Sequence, residues 1–88
     1  MAKKVDANQA EIVAALRQCG ATVQCLHTVG HGCPDLVVGL GGKNYLLEVK
    51  NGNGRLTTHE SRWHREWRGQ VHIVRSVEDA LMAVGVIW

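Results

Sequence analysis

The sequence predicts a mixed α/β fold in the order αβββαβα, a small central mixed sheet flanked by helices. Three observations carry this. Four short stretches, around residues 21–28, 35–38, 44–50 and 70–75, are apolar or alternating, rich in Val, Ile, Leu or Tyr, and read as strands. Three others open on a residue suited to an N-cap, Asn8, Thr57 or Ser76, with an acid three positions on, and read as helices. The chain is 88 residues long, the size of one small domain, so residues 1–88 are expected to form a single unit.

The first helix is expected over about residues 9–19. Asn8 caps it, with Glu11 as the reciprocal capping-box partner. Ala10, Ile12, Val13, Leu16 and Cys19 supply its buried side, and Gly20 stops it. Residues 21–28 alternate loosely, with Val23, Cys25 and His27 on one side, as an outer strand would. In the loop 29–34, Gly30 and Gly32 either let the backbone approach a phosphate or turn it sharply into Asp35. The strand Leu36, Val37, Val38 begins at Asp35 and is bounded by Pro34 and Gly39. Gly41 and Gly42 tolerate positive φ and close a tight hairpin, and residues 44–50 form the return strand.

Residues 51–55 are a mobile, turn-rich connector. Thr57 and Glu60 form a second capping box at the head of a helix reaching about residue 68. Trp63 and Trp67, four apart, are expected to pack inward on the sheet, with Arg62, Arg65 and Arg68 as a basic stripe beside them. Residues 70–75 make the fourth strand, Val71 and Ile73 on one face, His72 and Val74 on the other. Ser76 and Asp79 open a last helix that runs to about residue 84 and stops at Gly85. Val86, Ile87 and Trp88 are an apolar tail that either folds back or joins a dimer contact.

The chemistry concentrates in the hairpin. Alternation puts Leu46, Glu48 and Lys50 on one face of the return strand and Tyr45, Leu47 and Val49 on the other. A Glu and a Lys on one face of an otherwise apolar hairpin are costly without partners. The Gly-Gly turn brings Asp35 to about the level of Glu48. Two adjacent carboxylates repel, so one stays protonated unless a cation lies between them. Oxygen ligands with open positions suit Mg²⁺ or Mn²⁺, and Lys50 points at the same space. The plainer alternative is a strand-edge salt bridge from Lys50 to Glu48 or Asp35, since E-x-K alone is a common surface pattern.

The combination is more specific than its parts. G-C-P-D-L-V-V-G at 32–39, Y-L-L-E-V-K at 45–50, L-T-T-H-E at 56–60, a Trp-containing helix and G-Q-V-H-I-V-R-S-V-E-D-A-L at 69–81 resemble the PD-(D/E)xK nuclease superfamily. Within it the chain resembles the VRR-NUC (virus-type replication-repair nuclease) family, over roughly residues 8–85, and is most like its small stand-alone phage and prophage members. The resemblance implies a restriction-endonuclease-like core and a Mg²⁺- or Mn²⁺-dependent endonuclease cutting DNA phosphodiesters. Asp35 and Glu48 would hold one or two ions, with the Val49 carbonyl and Glu11 completing the set. Glu11 serves either that role or the capping box. Lys50 would orient or help deprotonate water, or stabilise the transition state. The resemblance also implies a homodimer acting on branched DNA such as four-way (Holliday) junctions. Many relatives carry Gln where Glu60 stands, which puts that residue's contact in question here.

Charge and composition narrow the rest. Net charge is only +2, but residues 55–75 hold five arginines and three histidines against two Glu, an excess suited to a polyanion or to a solvated helix face. Arg55, Arg62, Arg65, Arg68 and the loop residue His31 are therefore the DNA-contact candidates. No apolar run approaches the roughly 18 residues needed to span a bilayer, so no membrane association is expected. No signal core is visible, and the three cysteines read as reduced thiols, so a cytoplasmic location is expected. Two other readings compete: a DNA-binding module of nuclease fold that does not cleave, and a zinc or nucleotide site built on His27, His31 and Cys33 that lacks a fourth ligand.

Overall fold

The protein's structure, a computed structural model, describes residues 7–87. Trp88 of the apolar tail, and residues 1–6 of the stretch read for an export signal, lie outside the described residues. The elements are α1 (Ala7–Gln18), β1 (Thr22–Cys25), β2 (Leu36–Leu40), β3 (Lys43–Val49), α2 (Thr58–Glu66), β4 (His72–Val74) and α3 (Val77–Ala83), which is the expected order. The sheet runs β1-β2-β3-β4, with β1–β2 and β2–β3 antiparallel and β3–β4 parallel. It is therefore mixed, and β1 is an outer strand. No helix among the described residues is long and apolar enough to cross a membrane.

The hairpin closes as its glycines require. Leu40 pairs with Lys43, and the two residues between them, Gly41 and Gly42, have φ of 60° and 78°. Positive φ at both central positions is the two-residue turn whose twist matches the strands. This turn sets the register Leu36↔Leu47, Val38↔Tyr45. One sheet face, carrying Leu36, Val38, Leu47, Val49 and Val74, is buried together with Ile12 and Leu16 of α1, Ala80 of α3 and Val84. Each fully buried Leu or Ile there contributes roughly 2 kcal/mol. The other face carries Val37, Leu46, Glu48 and Ile73 and looks toward α2.

Several expectations change. Among the described residues α1 begins at Ala7, so Asn8 lies inside the helix instead of capping it. The Asn8 amide donates instead to the carbonyls of Lys50 (3.0 Å) and Arg75 (3.1 Å), tying the helix start to the ends of β3 and β4. Ala10 and Cys19 are exposed, and Ile12 and Leu16 alone are fully buried in this helix. The connector after Lys50 is not loose: the Arg75 guanidinium donates to the carbonyls of Gly52 and Gly54, both at 2.8 Å. Arg75 thus serves the fold, not the basic surface. The second capping box is present, with Thr57 and Glu60 reciprocally bonded, and Ser76 caps α3 by accepting from the Asp79 amide. Gly85, at φ 81°, ends α3 as expected: the Val86 amide bonds the Leu81 carbonyl at 2.9 Å, Val86 packs on the core and Ile87 is exposed.

Candidate active site

The register brings the two carboxylates together. Leu36 faces Leu47, so one step further Asp35 faces Glu48 across the strands, on the face opposite the core. Asp35 is anchored twice. Its Oδ2 accepts from the Val49 amide (2.7 Å), and its carbonyl accepts from the Leu26 amide (2.8 Å). Glu48 is 1 % exposed, and its Oε1 is buried without a hydrogen-bond partner. Burial first, then the hydrogen bond and charge of Asp35 and the charge of Glu60, push the Glu48 carboxyl up to about 9, against a smaller opposing pull from Lys50. The pair behaves as expected of adjacent carboxyls without a full counter-charge: one stays protonated.

Lys50 follows β3 and reaches the same face. Its Nζ is 3.9 Å from Glu48 Oε2 but 2.6 Å from Glu60 Oε1. The ammonium is therefore held by Glu60 more than by Glu48. Burial pushes the Glu60 carboxyl up, but the bonds from Lys50 and from the Thr57 amide outweigh it and hold it below its usual value. Glu60 thus does two jobs, closing the cap of α2 and fixing Lys50.

The same helix contributes His64, whose Nε2 lies 3.9 Å from Glu48 Oε1 and is itself buried and unpartnered. Burial, aided by the Lys50 charge and opposed by Glu60, lowers the His64 pKa and favours the neutral ring. Sequence reasoning missed both Glu60 as a Lys50 partner and His64 as a site residue. The signal was available: Glu60 and His64 are four apart and share one side of a helix.

A cleft of about 340 Å³ opens beside the pair, lined by His31, Gly32, Cys33, Asp35, Thr57 and Glu60 among others. Gly32 (φ 80°) packs against the first turn of α2, where a Cβ would stand 2.4 Å from the His59 carbonyl oxygen. The Gly30–Gly32 loop therefore approaches a helix backbone. His31 is exposed with φ 58° and lines the cleft. His27 and Cys33 line it too, yet no three His, Cys, Asp or Glu side chains among the described residues converge as a ready metal cluster.

The remaining candidates stand apart. Glu11 is exposed, and among the described residues no hydrogen bond or ion pair joins it to Asp35, Glu48 or Lys50. Val49 is buried and meets Asp35 through its amide. Arg55, Arg65 and Arg68 are exposed, and Arg62 is exposed and paired with Glu66 at 3.4 Å. By helical rotation Arg62 and Arg65 lie on the side of α2 away from Glu60 and His64, so they do not flank the carboxylates. The tryptophans also depart from expectation. Trp63 is half-buried, but Trp67 is 44 % exposed, stacked on Trp63 at 4.6 Å with its Nε1 donating to the Gln70 carbonyl. The Lys50–Glu60 ion pair, not an apolar stripe, marks the inward side of this helix.

No family model matches the chain, and no curated protein matches it. Among solved structures it is similar to a VRR_NUC domain, with a TM-score of 0.72 and 26% sequence identity over 91% of this chain and 92% of that one. The P-D, E-x-K hairpin, the mixed sheet with Asp35 and Glu48 level on adjoining strands, and this near-complete structural likeness together support the VRR-NUC family for this chain, a restriction-endonuclease-like, nuclease-fold domain.

Proposed function

We propose that the chain is a divalent-metal-dependent endodeoxyribonuclease that hydrolyses phosphodiesters, selective for branched DNA such as four-way junctions, and active as a homodimer. One observation carries the reading: a nearly fully buried Glu48 with an unpartnered Oε1, level with Asp35 and beside Lys50. A buried carboxylate costs heavily without a partner, and an oxygen-rich pair of this kind fits Mg²⁺ or Mn²⁺. Asp35 and Glu48 would hold the ion, with the Val49 carbonyl and Glu11 as the further donors implied by the family resemblance. When bound, such an ion neutralises charge developing on the phosphate and lowers the pKa of a water ligand.

The chain's own residues do the rest. Asp35 keeps one oxygen on the Val49 amide, so its carboxylate is oriented before substrate arrives. Lys50 presents an ammonium 3.9 Å from Glu48, placed to donate to an attacking water or a phosphoryl oxygen. His31 borders the cleft, and Arg55, Arg62, Arg65 and Arg68 offer exposed charge to the DNA backbone.

The Lys50–Glu60 pair favours a second reading, a non-cleaving DNA-binding module, because an ammonium committed to a carboxylate is a weaker donor to substrate. One experiment separates the two. A labelled four-way junction, with linear duplex and single-stranded controls, is incubated with wild type and Asp35→Ala in Mg²⁺, Mn²⁺ or EDTA. Symmetric, metal-dependent cuts in the junction alone, absent in the variant, are expected. Cuts in every substrate would leave a less selective nuclease. Binding without cleavage would favour the second reading.

A further inference from the structure

Two side-chain polar atoms among the described residues are buried without a hydrogen-bond partner, and they face each other: Glu48 Oε1 and His64 Nε2, 3.9 Å apart. That separation is too long for a hydrogen bond. Two ligand bonds of about 2.1 Å to a shared ion span at most about 4.2 Å, so both atoms would lie within reach of one cation. Lys50 lies on the other oxygen of Glu48, Oε2, and leaves Oε1 to His64.

The turn of α2 that carries the imidazole is anchored. Glu60, one turn before His64, is fixed by the Thr57 cap and by Lys50. The ring meets Trp63 edge-on at 5.8 Å. His64 can therefore add a nitrogen donor to a site that otherwise offers only oxygen. Mg²⁺ favours an all-oxygen octahedron and keeps its waters, whereas imidazole nitrogen is a good donor to first-row transition ions.

We infer that His64 is a further ligand of the cation held by Asp35 and Glu48, and that it makes the site prefer Mn²⁺ over Mg²⁺. The inference rests on the metal-dependent reading above. Glu48 Oε1 and His64 Nε2 would be its donors from the facing pair, with Asp35 on the adjoining strand as the third side chain.

The test uses the full chain, without DNA. Mn²⁺ and Mg²⁺ affinities are measured by titration calorimetry for wild type, His64→Phe and His64→Leu, with melting in EDTA to verify folding. Pulsed electron paramagnetic resonance of bound Mn²⁺ reads nitrogen coupling directly. Wild type should show imidazole coupling that His64→Phe abolishes. Mn²⁺ affinity should fall roughly tenfold or more, with a Mg²⁺ change several-fold smaller. Bound Mn²⁺ without nitrogen coupling in wild type overturns the inference, and that measurement does not depend on a variant folding. Equal loss of both ions in both folded variants overturns it as well, leaving His64 a packing residue. Wild type that binds neither ion removes the metal-dependent reading itself.

Discussion

A carboxyl buried as completely as Glu48 beside a second carboxyl gains nothing from ionising until a cation arrives. Its folded-state pKa lies near 9, above the ordinary 4.5 it has when unfolded. The stability tied to its proton is therefore fully present below about 4.5 and is lost as pH rises toward about 9. Without metal, the melting temperature should decline across that window. Divalent ions should release a proton on binding, and their apparent affinity should climb with pH over the same range. Glu48→Gln should lose most of that slope and its metal response together; an unchanged slope would place the titration elsewhere. Lys50→Ala addresses the neighbouring group. It should keep binding of DNA and metal and lose cleavage by at least about a hundredfold. Unchanged cleavage would remove Lys50 from the reaction.

At the scale of elements, the loop 29–34 and the head of α2 act together. Gly32 fits against the His59 carbonyl only because it lacks a Cβ, and its φ of 80° disfavours any other residue. Gly32→Ala should cost at least about 2 kcal/mol, read as a fall in urea midpoint, and should loosen the turn that carries Glu60. A wild-type midpoint would show that the contact yields easily. The hairpin was legible in the sequence because Gly-Gly admits one common tight turn, and that turn dictates which side chains lie level. The capping box at Thr57 was legible for the same local reason. Asn8 was misread because the partners of its amide, the carbonyls of Lys50 and Arg75, are far away in sequence. His64 and the inward side of α2 were missed likewise: the tryptophans suggested an apolar face, whereas ion pairing to Lys50 settled the helix. Arg75→Ala should free residues 51–54, raising amide exchange there, because two carbonyl contacts are lost.

Over the whole molecule, size bears on substrate. The described residues extend 32 × 32 × 23 Å, so the longest dimension is close to one turn of duplex DNA, about 34 Å. On the proposed reading, a body of that size carrying the Asp35–Glu48 pair would cover one arm of a branched substrate and cut one strand at a time. Paired cuts in symmetry-related strands need a second site, and a second copy related by a two-fold axis supplies it most simply. The homodimer reading therefore makes a claim independent of catalysis. Sedimentation velocity of the purified chain at micromolar concentration should show a dimer, or a dimer assembled on adding a junction carrying two equivalent arms. If the chain stays monomeric in both conditions while still cutting junctions, the two incisions must come from separate encounters. Nicked intermediates would then accumulate before the second cut, and selectivity would lie in the single site.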